Sequence, residues 1–259
     1  MKYREQAEVL RIAQIGKDIF SMYLQTEQIA KEALPGQFVS VYCRDGSRLL
    51  PRPISVCQAD EDTAILRLVF RIAGAGTLEL SRLVSGDRVD LVGPLGNGFP
   101  AERAEDRRVL LIGGGIGIPP MIQLDHMLDE LGTASGVTAV LGYRDEVFLQ
   151  DDFSGACAIA TEDGSAGTKG TVLDAIREQD LKADVIYACG PIPMLRALKA
   201  YAEENGIECW LSMEEKMACG IGACLSCVCR SSEVDEHSQV HNKRVCTEGP
   251  VFRSTQIEL

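Results

Sequence analysis

The stretch VLLIGGGIGIPP, residues 109–120, decides the fold of the second half of the chain. Four consecutive apolar residues predict a buried strand, and a glycine-rich turn follows them at once. A helix is predicted from about Pro119 to Leu131, because proline is favoured at the first helical position and Gly132 can end the helix. A buried strand, a glycine turn and a helix in succession indicate a parallel sheet covered by helices.

The same alternation continues on the C-terminal side of this stretch. Further strands are predicted at 137–141, 157–160, 184–188 and 207–211, with helices at 172–177 and 192–205. Residues 101–211 are therefore predicted to form a Rossmann-like, doubly wound α/β domain.

A dinucleotide is expected at the glycine turn, because free backbone N–H groups at a strand–helix junction can approach a pyrophosphate. The spacing, Gly113-x-Gly115-x-Gly117-x-x-Pro120, differs from the standard G-x-G-x-x-G. Asp145 and Glu146 lie too far along the chain for the usual ribose acid, and we interpret them as solvated loop charges. Cys189 and Gly190, at a predicted strand end, are nicotinamide-pocket candidates, although a buried structural thiol is an equal alternative.

Residues 1–100 have a different pattern, with short apolar and β-branched runs at 37–42 and 64–70 separated by glycine-containing turns. They predict a small antiparallel β-barrel with one helix near residues 77–83 and Thr77 as its N-cap. Arg52–Ser55 offers a donor fork for a pyrophosphate and a hydroxyl beside a flat ring. The alternatives are an arginine at a strand end and, for the phosphate candidate at Gly74–Thr77, an ordinary loop.

The third signal is a set of cysteines after residue 211. Cys219, Cys224 and Cys227 have the C-x4-C-x2-C spacing of a plant-type [2Fe–2S] cluster, and Cys246 follows. A zinc site and buried structural cysteines are the alternatives. Cys229 competes with Cys227 for the third ligand position, because the two would face the same way in an extended segment.

Composition excludes several classes of function. A net charge of −12 argues against nucleic acid or an anionic membrane as a partner. The N-terminus lacks a signal-peptide pattern, and no apolar run is long enough to span a bilayer. Ten cysteines without such a signal indicate reduced thiols in the cytoplasm. His237 and His241 are interpreted as surface residues.

Four stretches together carry a family resemblance: residues 94–99 (PLGNGF), 113–120 (GGGIGIPP), 189–194 (CGPIPM) and 213–224 (MEEKMACGIGAC). The chain resembles the ferredoxin–NADP reductase superfamily and, within it, the electron transfer subunits of class 1B dihydroorotate dehydrogenases. The resemblance implies three parts: an FAD-binding barrel (1–100), an NAD-binding domain (101–211) and a small [2Fe–2S] module (212–259).

The resemblance also assigns site residues. The FAD site would comprise Arg52, Pro53, Ile54, Ser55, Val69, Phe70, Arg71, Gly76 and Thr77. The NAD site would comprise Gly113, Gly115, Gly117, Cys189 and Gly190. The cluster ligands would be Cys219, Cys224, Cys227 and Cys246, the last being the least secure because a long polar insert precedes it. No catalytic acid or base is expected; Ser55 and Cys189 are candidates to position the hydride.

The implied activity is electron transfer from the FMN of a catalytic subunit, through the cluster and FAD, to NAD⁺ in UMP biosynthesis. The implied assembly is a heterotetramer of two plus two, and the chain alone would not oxidise dihydroorotate. NAD rather than NADP rests on the resemblance, and Arg144 leaves NADP open. The alternatives are a subunit of another NAD(P)H oxidoreductase, of ferredoxin, sulfide or hydrogenase type, and a redox sensor or zinc-stabilised binding module.

Overall fold

The computed structural model of the protein describes residues 1–234 and 239–259. His237 lies outside these ranges. The first part of the chain forms strands β1 (Tyr3–Gly16), β2 (Ile19–Gln25), β3 (Phe38–Val41), β4 (Arg52–Asp60), β5 (Ile65–Arg71) and β6 (Arg88–Leu95). They close into an antiparallel barrel in the order β1-β2-β5-β4-β3-β6, as the sequence predicts. Two short helices, α1 (Ile29–Glu32) and α2 (Ala75–Leu80), lie in its connections.

Strand β5 separates two environments. Leu66, Leu68 and Phe70 belong to the apolar core of the barrel. Successive side chains of a strand point to opposite faces, so Arg67, Val69 and Arg71 point outward. Val69 accordingly packs in a second core, which it shares with the α/β domain.

Helix α2 differs from its prediction. It begins at Ala75 rather than at Thr77, its N-cap is Gly74, and it ends at Leu80. Thr77 occupies the third helical position, where its hydroxyl accepts hydrogen bonds from the backbone N–H groups of Ala73 (2.8 Å) and Gly74 (3.2 Å). A hydroxyl at this position can reach back to the N-cap, as in a capping box, so Thr77 is not itself the cap.

Beyond the barrel, the chain alternates between strands and helices up to residue 212 and then adds three short strands. The strands are β7 (Arg108–Gly114), β8 (Gly136–Tyr143), β9 (Cys157–Thr161), β10 (Thr168–Lys169), β11 (Val185–Cys189), β12 (Glu208–Ser212), β13 (Val228–Arg230), β14 (Asn242–Arg244) and β15 (Val251–Arg253). The helices are α3 (Pro119–Leu131), α4 (Val172–Glu178) and α5 (Ile192–Asn205). The predicted elements of this region are confirmed, with ends that differ by one or two residues.

Seven of these strands form one sheet in the order β10-β9-β8-β7-β11-β12-β15. All pairs are parallel except β12 with β15. Strand β7 lies between β8 and β11, so the strand order reverses there, and a crevice opens at the carboxyl ends of β7 and β11. No helix within the described ranges is long and apolar enough to cross a membrane.

The last segment leaves this sheet after β12 and returns to it. Strands β13 and β14 form a separate hairpin, whereas β15 pairs with β12 through Leu211 and Phe252. The free edge of β12 offers unpaired backbone groups, which β15 satisfies. The predicted domain boundaries after residues 100 and 211 remain a prediction. Within the predicted 212–259 module, residues 251–253 (β15) belong to the seven-stranded sheet.

Candidate functional site

A cavity of about 310 Å³ lies where the barrel, the α/β domain and the last segment meet. Seven of the nine predicted FAD residues line it: Pro53, Ile54, Ser55, Val69, Phe70, Arg71 and Thr77. The α/β domain contributes Ile116, and the last segment contributes six residues that were not predicted as site residues: Ser212, Met213, Glu214, Glu215, Met217 and Pro250. A largely apolar concave site with a few polar groups suits a flat aromatic cofactor.

The other two predicted FAD residues contact each other. A Cβ atom placed on Gly76 would overlap the guanidinium of Arg52, so the arginine lies directly against the glycine backbone. Arg52 Nη1 also donates a hydrogen bond to the carbonyl of Leu50 (2.7 Å). The close approach holds the guanidinium beside the start of α2, where it can serve as an anion-binding group. These features fit the phosphate-bearing part of FAD.

Glu214 is one of the cavity residues that sequence reasoning did not assign to a site. It follows β12 almost directly, and the carboxyl ends of strands are where such sheets bind ligands, so its position was the available signal. The residue is solvent-exposed, and partial desolvation of its carboxyl group by the cavity walls raises its pKa. Glu214 therefore adds a titratable group to a site in which none was expected.

The predicted NAD residues meet in the crevice between β7 and β11. Gly113 pairs with Cys189, and Gly115 adopts a positive φ of +53°. A Cβ atom on Gly117 would overlap the carbonyl of Cys189 and lie 2.6 Å from the nitrogen of Gly190, so the two predicted stretches are in direct contact. Cys189 is 1% exposed, and burial raises the pKa of its thiol to about 12. The neutral thiol of Cys189 can shape the crevice but is not a nucleophile.

The acidic residues after β8 have a role that the sequence did not indicate. Glu146 Oε2 accepts a hydrogen bond from the backbone N–H of Lys17 (2.7 Å), in the turn between β1 and β2. Glu146 is exposed, as the interpretation as a solvated loop charge expects, and it also forms a contact between the α/β domain and the barrel.

The four predicted cluster ligands occur as two neighbouring pairs. The thiol of Cys224 donates a hydrogen bond to Cys219, and the thiol of Cys246 donates one to Cys227. Burial opposes ionisation of Cys219, but backbone N–H groups of Ile221, Ala223 and Cys224 outweigh it and lower the pKa of Cys219 to about 6. The Cys219 thiolate that a metal requires is therefore available at neutral pH.

The donor set fits the ligand requirement of a two-iron cluster. A [2Fe–2S] cluster takes four cysteine thiolates, which Cys219, Cys224, Cys227 and Cys246 would supply. Next to Cys246, the hydroxyl of Thr247 is buried without a hydrogen-bond partner in the described part of the chain. A bound group with acceptor sulfurs would satisfy it.

Cys227 and Cys229, the two candidates for the third ligand position, have different contacts in the structure. Cys227 Sγ accepts a hydrogen bond from the backbone N–H of Cys246 (3.4 Å). Cys229 lies in β13 opposite Lys243. Burial raises the pKa of the Cys229 thiol to about 11, as it does for the predicted ligand Cys246, so the pKa does not distinguish between them. These contacts favour Cys227. His241 Nδ1 hydrogen-bonds to the carbonyl of Ser231 (3.2 Å).

Comparison with known proteins supplies the family. The iron–sulfur cluster binding domain of dihydroorotate dehydrogenase B matches residues 214–258. The electron transfer subunit of dihydroorotate dehydrogenase B (NAD⁺) from Geobacillus sp. (strain WCH70) is 43% identical over 265 residues, covering 100% of both chains. The same subunit from Bacillus mycoides is 40% identical, again with 100% of both chains covered.

The chain belongs to the family of dihydroorotate dehydrogenase B electron transfer subunits. The predicted family and fold class are thereby confirmed. Solved structures agree: an NADH-dependent reduced ferredoxin–NADP oxidoreductase is 31% identical, with a TM-score of 0.84 over 98% of this chain and 90% of that one. A ferredoxin–NADP⁺ reductase from Neisseria gonorrhoeae, 14% identical with a TM-score of 0.68, covers 78% of this chain and 92% of its own and shares the fold.

Proposed function

We propose that this chain is the electron transfer subunit of an NAD-dependent, class 1B dihydroorotate dehydrogenase in UMP biosynthesis. Electrons would pass from FMN on a catalytic subunit, through a [2Fe–2S] cluster and FAD, to NAD⁺. The observation that carries the proposal is the shared cavity, because residues of the predicted FAD barrel, the nucleotide loop and the cluster segment line it together. A cofactor bound in this cavity could exchange electrons with the nucleotide on one side and with the cluster on the other.

The residues of the cavity have positioning roles in this proposal. Arg52 would hold the pyrophosphate of FAD, and Ser55 the flavin ring. The apolar walls, including Val69 and Phe70, would exclude water. Gly117 and Cys189 would form the floor of the nicotinamide site. Bound FAD supplies the chemistry that links a two-electron carrier to a one-electron carrier, so the chain needs no general acid or base of its own.

The cluster would be held by Cys219, Cys224, Cys227 and Cys246, whose thiolates would bind its irons. The three parts, 1–100, 101–211 and 212–259, would bind FAD, NAD and the cluster respectively. The partner would be the FMN-containing catalytic subunit in a cytoplasmic heterotetramer of two plus two, and the chain alone would not oxidise dihydroorotate.

Co-expression with the catalytic subunit tests the proposal. We expect the purified complex to show flavin and iron–sulfur absorption and to reduce NAD⁺ with dihydroorotate, whereas the chain alone oxidises NADH only with artificial acceptors. A colourless preparation that contains zinc would contradict it.

A flavin and iron–sulfur subunit of a ferredoxin-type oxidoreductase is the second candidate, supported by the 31% identity to the NADH-dependent ferredoxin–NADP oxidoreductase. Ferredoxin-dependent turnover without any dihydroorotate activity in the complex would favour it.

A further inference from the structure

One buried charge in the molecule has no part in the sites described above. Arg67 is only 6% exposed, although it points outward from the barrel. Its Nε donates to Ser21 Oγ (3.0 Å), and its Nη1 donates to Gln58 Oε1 (2.7 Å). The ring of Tyr23 lies 5.3 Å from the guanidinium carbon. The barrel thus holds this cation in one orientation.

The remaining partner of Arg67 comes from the α/β domain. Arg67 Nη2 donates to Asp152 Oδ2 (3.0 Å), in the loop of residues 144–156 that joins β8 to β9. A second bridge runs beside it: Gln58 Nε2 contacts His126 Nδ1 (3.3 Å), and His126 Nε2 contacts the carbonyl of Asp152 (2.7 Å). A neutral His126 with its proton on Nε2 satisfies both contacts: Nδ1 accepts from the Gln58 amide, and Nε2–H donates to the Asp152 carbonyl.

The β8–β9 loop is fixed at several points. Glu146 binds the β1–β2 turn through the N–H of Lys17. Within the α/β domain, the hydroxyl of Tyr143 donates to the carbonyl of Phe148 (2.8 Å), and the carboxylate of Asp125 in α3 accepts from the N–H of Ser154 (2.6 Å). Because the loop is held at both ends, a shift of the barrel would also move the carboxyl end of β8, which lies next to the nucleotide crevice.

Strand β5 connects this contact to the cavity. Arg67, Val69 and Arg71 lie on the same outward face of β5. Of these three residues, Val69 and Arg71 line the cavity and Arg67 does not. At about 3.3 Å per residue, Arg67 is about 13 Å along the strand from Arg71. The η-nitrogen of Arg71 is the nearest group to Gly115, 3.9 Å from where its Cβ would be, so the same strand face reaches the nucleotide loop.

We propose that Arg67 and Asp152 are positioning residues that fix the nucleotide domain on the barrel and so set the nicotinamide ring against the flavin. The inference rests on the proposed function, because it assigns a role in hydride transfer. Neither residue touches the cavity that would hold the flavin, so their effect must pass through the β8–β9 loop and β5.

The test compares variants of the complex loaded with FAD. Asp152→Ala removes the acceptor, whereas Asp152→Asn keeps an oxygen that can accept from Arg67. The matched control is Asp184→Ala, which breaks an exposed pair with Arg108 (2.8 Å) that lies wholly within the α/β domain. The double variant Arg67→Met, Asp152→Ala removes both charges and provides a folded comparison if the unpaired arginine impairs folding.

Three quantities are measured: the rate of flavin reduction by NADH in single turnovers, the nicotinamide–flavin charge-transfer absorption, and hydrogen exchange in the β1–β2 turn. For Asp152→Ala and the double variant we expect a rate lower by about 10- to 100-fold, since misplacement by about 1 Å can cost that much. We also expect a weaker charge-transfer band, faster exchange at the β1–β2 turn, and unchanged NADH affinity and FAD content. Asp152→Asn should recover most of the band, and Asp184→Ala should match the unmodified protein.

The inference is overturned if Asp152→Ala and the double variant keep the full band and rate, or if they lose FAD along with activity. Absence of FAD from the unmodified complex would instead contradict the proposed function, so the two failures can be told apart.

Discussion

At the scale of single residues, the cysteines differ in what surrounds them rather than in how deeply they are buried. Cys227, Cys229 and Cys246 are 2%, 7% and 1% exposed, so burial does not choose between them. All three pack in the same apolar cluster. One contact distinguishes Cys227: the Cys246 N–H donates to Cys227 Sγ across 19 positions of sequence, whereas Cys229 lies in β13 opposite Lys243. N–H groups directed at sulfur favour the thiolate form, which is the form that binds iron.

We expect Cys229→Ala to retain the cluster and Cys246→Ala to lose it. Under the proposed ligand set, the first substitution removes a thiol that does not bind the cluster, and the second removes one of its four ligands. Iron and sulfide content, together with the visible absorption of the purified protein, measures the difference. Retention of a full cluster in Cys246→Ala, with loss in Cys229→Ala, would reverse the ligand assignment.

At the scale of elements, the turn between β7 and α3 depends on close backbone contact with the end of β11. A Cβ atom on Gly117 would overlap the carbonyl of Cys189, which is backbone and cannot rotate away. The turn therefore keeps its shape only with glycine at this position. Since both strands belong to the same parallel sheet, any shift of the turn changes the crevice between them.

Gly117→Ala is expected to destabilise the protein by about 1–3 kcal/mol, the usual cost of forcing an extra methyl group into a packed site. NADH affinity should fall as well. The matched control is Gly136→Ala, at the amino end of β8, where an added Cβ meets nothing within 4 Å. That control should change stability by less than about 0.5 kcal/mol. Chemical denaturation and NADH titration of both variants provide the comparison; equal behaviour would contradict the packing argument.

At the scale of the whole molecule, the PLGNGF stretch joins the barrel to the cluster segment. The backbone N–H of Asn97 donates to the carbonyl of Gly249 (2.6 Å), and its side-chain amide donates to the carbonyls of Glu248 (2.9 Å) and Thr247 (3.4 Å). These three acceptors directly follow Cys246. On the other side of the ligand set, a Cβ on Gly220 would lie 2.9 Å from Ser40 Oγ of the barrel.

Asn97→Ala should make the cluster about tenfold more labile to an iron chelator, in line with the effect of losing outer-shell hydrogen bonds at metal sites. Asn97→Asp should be no better, because a carboxylate cannot donate to the two carbonyls. FAD content should be unchanged. Asn205→Ala, which removes one exposed hydrogen bond to Tyr201 at the end of α5, is the control. Bleaching of the iron–sulfur absorption at wild-type rate in both Asn97 variants would contradict this role.

The sequence alone determined the features that depend on neighbouring residues. Alternating and β-branched runs indicated the barrel and located two of its strands, β3 and β5. The run at 109–120 located β7, its turn and α3, and the C-x4-C-x2-C spacing placed three cysteines in one loop. The role of Thr77 was predicted wrongly, although it depends only on neighbouring residues. A threonine can cap a helix from the N-cap or from the third helical position, and local sequence does not distinguish the two.

Only the tertiary structure decided which distant residues meet. It brought Glu214 into the cavity, β15 into the second sheet, Glu146 against Lys17 and Asp152 against Arg67. Each contact joins segments that are far apart along the chain, or depends on a sheet edge that forms only when the strands assemble. A charged residue carries no local sign of whether it will be solvated or paired, because its desolvation is set by the elements that pack around it.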